Sequence, residues 1–130
     1  MFGDKAIFGK SELCVDDKGR VIVPQYTNRE IGEELILLYN EDFKIYEIYS
    51  VKRLKERFDE LNNLILNSET IKKRKFYEMW LLKLSKSILK SVKVEKNGTI
   101  TLDNHFNEYE KVISTGAYDH LIIEPIKLKK

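Results

Sequence analysis

Apolar positions along this chain follow two different periods. Near the start, Val15-Asp16-Asp17-Lys18-Gly19-Arg20-Val21-Ile22-Val23 reads as strand, tight turn and strand. The glycine supplies the positive φ that such a turn often requires. The same layout returns in Val94-Glu95-Lys96-Asn97-Gly98-Thr99-Ile100-Thr101-Leu102, with Gly98 lying 79 residues after Gly19. Asp16-Asp17 and Asn97 are suitable turn neighbours. A second strand pair follows each turn. Leu35-Ile36-Leu37-Leu38-Tyr39 and Lys44-Ile45-Tyr46-Glu47-Ile48 enclose Asn40-Glu41-Asp42. Val112-Ile113-Ser114 and Leu121-Ile122-Ile123-Glu124 enclose Gly116-Ala117-Tyr118-Asp119, and Ile122 lies 77 residues after Ile45. Two pieces repeated in the same order point to an internal duplication.

Between the copies the period changes to that of a helix. Ser50 can cap a helix carrying Val51, Leu54, Phe58, Leu61 and Ile65 on one side, with Lys52/Glu56 and Lys55/Asp59 paired on the wet face. Ser68 and Glu69 read as a second start. Residues 71–89 then place Phe76, Met79, Trp80, Leu84 and Ile88 at helical spacing, and Tyr77, Leu81, Leu82 and Leu89 widen the apolar surface. A helix that is apolar on several sides usually meets more than one neighbour, which here suggests contacts between chains. The expected architecture is α+β, with a first repeat over residues 1–49, a helical linker over 50–90 and a second, degenerate repeat over 91–130.

Composition adds limits. The 130 residues are 42% hydrophobic, which is ordinary for a globular protein, and 23 basic residues nearly balance 21 acidic ones for a net charge of +2. A phosphate-binding surface would therefore need local segregation of charge. The single cysteine, Cys14, cannot form an intrachain disulfide. Its setting between Leu13 and Val15 reads as that of a small buried hydrophobe. Met1-Phe2-Gly3-Asp4-Lys5 does not read as a signal peptide, and no apolar run approaches the ~20 residues that span a bilayer. The expected location is the cytoplasm.

Phe8-Gly9 followed by Val15-Asp16-Asp17-Lys18-Gly19-Arg20-Val21-Ile22-Val23-Pro24 resembles the signature of the MraZ family, a branch of the AbrB-type swapped-hairpin regulators. The resemblance spans residues 8–125 and includes the order of hairpins and helices. It implies a transcription regulator associated with the nucleoid. Its duplicated halves would form a pseudo-dimer, its chains would assemble into a ring-like homo-oligomer, and it would bind double-stranded DNA at direct repeats. It also implies DNA contact by Lys18 and Arg20. Arg29, five positions after Pro24, resembles a basic position that AbrB-type relatives use on DNA. Asp16, Gly19 and Pro24 would orient the motif. The second copy departs from the pattern, with Asn97, Thr99 and Asp103 at the lysine, arginine and proline positions, which marks a divergent member.

Each candidate has a plainer alternative. Arg20 can pair with Asp16 or Asp17 and merely fix the turn. Lys72-Lys73-Arg74-Lys75 reads as the wet face of a helix whose buried side begins at Phe76. Trp80 with Phe76 and Tyr77 reads as core or subunit interface before it reads as a base-stacking platform. His105 and His120 lack partners at ligand spacing, so no metal and no cofactor is expected. No phosphate loop or nucleophile motif is present, so an enzyme with a small-molecule substrate is not expected. The rival to DNA binding is an interaction module that keeps the scaffold and modulates a related regulator.

Overall fold

The computed structural model describes residues 1–129. Eight strands and two α-helices are found among them. β1 (Lys10–Cys14) and β2 (Arg20–Ile22) flank the first turn, and β3 (Glu34–Asn40) and β4 (Ile45–Ser50) form a hairpin. Helices α1 (Val51–Leu66) and α2 (Ile71–Ser87) follow. β5 (Ile88–Lys93), β6 (Thr99–Thr101), β7 (Tyr109–Gly116) and β8 (Leu121–Leu128) then repeat the strand order. The fold is α+β, as the alternation of periods predicts.

The arms flanking each turn do not pair with one another. β1 pairs antiparallel with β7, β3 with β5, and β2 with β6, so each of these ladders joins one strand from each copy. The six-stranded sheet runs β1-β7-β8-β4-β3-β5. Exchanging the two copies gives the same order reversed, the signature of a twofold relation inside one chain. In the separate β2–β6 ribbon, Val21 faces Ile100, its own counterpart in the other copy. In the sheet, Tyr46 of β4 likewise faces Ile123 of β8. The pseudo-twofold passes through both pairs.

The main core lies between ribbon and sheet. Val21, Ile100, Val23, Leu102 and Phe106 pack with Leu35, Leu37, Ile48, Val112 and Ile123, all nearly free of solvent. Alternation along β3 turns Leu38 to the opposite face, where it meets Tyr49 and Leu54 under the helices. Ser50 caps α1, its hydroxyl accepting the Arg53 N–H at 3.1 Å.

Several expectations are corrected. The second helix is capped by Thr70 rather than Ser68, whose hydroxyl instead donates to the Leu64 carbonyl at 2.6 Å. That helix ends at Ser87, and Ile88 and Leu89 belong to β5. Glu56 is taken by Arg53 at 2.6 Å, not by Lys52. Cys14 is exposed, because strand alternation turns Leu13 inward and Cys14 outward. Phe76 does not open a buried side: α2 has no buried residue at all, with Phe76 57% and Trp80 44% exposed.

One buried polar cluster ties the two halves together beside the β4–β8 seam. The His120 ring lies against Tyr49, with centroids 4.5 Å apart. Its Nε2 is 2.9 Å from Glu47 Oε2 and its Nδ1 2.7 Å from Asp119 Oδ1. Burial disfavours the imidazolium, but hydrogen bonds to Glu47 and Asp119 outweigh it and hold the pKa above its ordinary 6.5. The native state therefore binds this proton more tightly than the unfolded chain. Its stabilisation is complete below about pH 6.5 and is lost as pH rises through the folded-state value. Thermal melts should show the parent losing stability from pH 6 to pH 9, and His120→Gln should flatten that slope. Equal slopes would remove His120 as its source.

Candidate nucleic-acid interface

The first turn is built around one carboxylate. Asp16 Oδ1 accepts the backbone N–H groups of Arg20 at 2.8 Å and Lys18 at 2.9 Å. Its Oδ2 accepts Arg20 Nε at 2.8 Å. The Arg20 N–H foremost, then its side chain and the Lys18 N–H, hold the Asp16 carboxyl below its ordinary pKa. The side-chain hydrogen bond to Asp16 in turn raises the Arg20 guanidinium. Gly19, at φ +74°, donates to the Asp16 carbonyl at 3.0 Å and closes the turn. The local pairing expected as the plainer alternative is thus present. It uses only Nε, however. Arg20 Nη1 stands 3.8 Å from Glu95, too far for a hydrogen bond.

The second turn keeps the frame and loses the cation. Gly98, at φ +77°, donates to the Glu95 carbonyl at 2.8 Å. Thr99 Oγ1 donates to Glu95 Oε2 at 3.1 Å, as Arg20 does to Asp16. The ribbon then locks the two turns at opposite ends. Val23 N–H donates to the Gly98 carbonyl, and Leu102 N–H to the Gly19 carbonyl, both at 2.9 Å.

Residues read from the sequence as one set therefore divide. Asp16, Lys18, Gly19 and Arg20 sit together at the first turn. Pro24 precedes a short 3-10 turn and lies beside the second. Arg29 also lies there, its Nε donating to the Val23 carbonyl at 2.6 Å and its guanidinium packed against Gly98. The side chain packed against Gly19 in the same way is Asn107. Arg29 thus serves the turn that lacks its own arginine. Sequence reading missed this because no local signal states which copy a side chain reaches. It also missed Ile22, Thr99 and Thr101, which share the outward ribbon face with Arg20. The inward burial of Val21 and Ile100 fixes that orientation.

No family model matches the chain. A transcriptional regulator MraZ from Caldanaerobacter subterraneus subsp. tengcongensis is 28% identical over 106 residues, covering 82% of this chain and 68% of the relative. This similarity supports a divergent member of the MraZ family. The aligned share is too long to reflect the turn motif alone, and the interleaved α+β fold agrees with it.

A concavity of about 590 Å³ lies in this MraZ-like chain between the helices and the β3–β4 hairpin. Tyr39, Tyr49, Phe76 and Trp80 wall it. Two of its carboxylates are already paired, Asp42 with Lys83 at 3.2 Å and Glu47 with His120 at 2.9 Å.

The left-handed backbone at Gly19 makes one stability test direct. Gly19→Ala should cost at least about 1–2 kcal/mol, the penalty of a side chain in that region, and must also push aside the Asn107 side chain packed there. It should lower the urea midpoint with little change in slope. An unchanged midpoint would mean the turn is not held as described.

Proposed function

We propose that this protein is a sequence-specific regulator of transcription that binds double-stranded DNA as a homo-oligomer, in the cytoplasm and at the nucleoid. The observation that carries this reading is the Asp16-clamped Arg20 on the outward face of the ribbon. Asp16 fixes the guanidinium through Nε, and the Nη groups make no hydrogen bond among the described residues. A fixed guanidinium with free Nη donors suits the paired acceptors on guanine in the major groove. Lys18, exposed at the turn, suits a phosphate. Arg29 and Lys96 supply positive charge at the opposite end. Asp16 and Gly19 shape the first turn, and Pro24 directs the chain towards Arg29.

In this reading residues 1–49 and 91–130 are the two repeats and residues 50–90 link them. The unburied side chains of α2, Trp80 and Phe76 among them, are the surface on which further copies pack. Linked copies bind repeated sites by raising the effective concentration of each weak arm. No cofactor and no small-molecule substrate is required. The rival reading is a protein-interaction module. It draws on Asp16, Asp17 and Glu95, whose negative charge lies among the turn cations.

Selection from random duplex DNA, followed by binding at two salt concentrations, separates these readings. Enrichment of a short repeated site with salt-sensitive affinity is expected, because phosphate contacts weaken as salt rises. No enrichment from folded oligomer would favour the interaction module. On an enriched duplex, Arg20→Ala should remove specific binding, at about 1–3 kcal/mol per contacted base pair, with an unchanged circular dichroism spectrum. Binding as tight as the parent's would overturn the site. Trp80→Glu should yield smaller particles by sedimentation and weaker DNA binding. An unchanged particle size would remove α2 from the assembly surface.

A further inference from the structure

The outward face of the β2–β6 ribbon carries four side chains in two cross-strand pairs, Arg20 opposite Thr101 and Ile22 opposite Thr99. Ile22 is 55% exposed although it lies in a strand whose neighbour Val21 is buried. Ile22 is thus a β-branched hydrophobe held outward on a polar, cation-flanked face, at the end next to the second turn, and it joins no core cluster among the described residues. The first turn, with Lys18, closes one end of this face. The second turn, with Lys96 and Arg29, closes the other. The five residues from Gly19 to Val23, with β2 at their centre, span at most about 13 Å at ~3.3 Å per residue, close to the ~12 Å width of the DNA major groove. That groove admits a two-stranded ribbon, and the only apolar group it displays is the thymine methyl.

Resting on the DNA-binding reading above, we propose that this ribbon face reads bases asymmetrically, with Arg20 on a guanine and Ile22, helped by the Thr99 methyl, on a thymine methyl. The pseudo-twofold would give two like half-footprints if both turns carried arginine. Arg20 and Thr99 are counterparts of different chemistry, so one end of the footprint reads guanine and the rest reads shape and methyl groups. The basic ends hold phosphates on either side and set the register.

The test alters the DNA, not only the protein. Duplexes enriched on the parent are remade with deoxyuridine at each thymine in turn, which deletes one methyl and keeps base pairing. At one or two positions the parent should lose about fourfold in affinity, the fold-change that matches burial of one methyl group. Ile22→Ala should bind the thymine duplex about fourfold more weakly and be indifferent to uracil at the same position. Ile22 is exposed, so circular dichroism should match the parent. Enrichment of a specific site with no uracil effect, or with the same effect in Ile22→Ala, overturns this inference and leaves the regulator reading intact. Failure to enrich any duplex overturns both.

Discussion

The ladder between β2 and β6 is the interaction on which the rest of this molecule depends. Each of these strands is only three residues long, and neither forms a ladder with β1 or β5, the strand on the other side of its own turn. An isolated two-stranded ribbon of that length is marginal in water. Here its inner face, Val21 against Ile100, is sealed into the core shared by both copies. The β1–β7 and β3–β5 ladders do the same at the sheet edges. Half of this chain alone would expose unpaired strand edges and half of a core, so the copies are stable only when interleaved.

That constraint creates the candidate site. Because the ribbon is sealed from below, its other face must point outward, and the two turns must lie at its opposite ends. The charges were then free to diverge. Asp16 and Arg20 are kept as a clamp at one end, while Glu95 and Thr99 keep only the hydrogen bond at the other. Arg29 crosses to the poorer turn and packs on Gly98. A position that looks degenerate along the chain is thereby partly compensated in space.

The helices play a different part. The α1–α2 hairpin returns the chain to the sheet, so that β5 can pair with β3 directly after Ser87. α1 contributes Leu54 to the second core cluster, whereas α2 has no fully buried residue and only rests Leu84 against that cluster. On the far side of that cluster, His120 links Glu47 of one copy to Asp119 of the other and stacks on Tyr49. The seam between copies is therefore apolar near the ribbon and ionic beneath the helices.

The sequence by itself determined the duplication, the periods that distinguish strand from helix, the capping of α1 by Ser50 and the turns at Gly19 and Gly98. These are local properties: a glycine at positive φ or a hydroxyl before a helix acts within a few residues. Burial was less legible. Cys14 sits among apolar neighbours but faces out, because strand alternation, not neighbourhood, sets the side. Phe76 and Trp80 have core chemistry yet stay largely exposed. Only the tertiary structure decided which strand of one copy pairs with which of the other, that Arg29 belongs to the second turn, and that the face shared by Arg20 and Ile22 points outward. Those facts depend on contacts between residues fifty or more positions apart, and no local pattern of hydrophobicity encodes which of two similar partners a strand will choose.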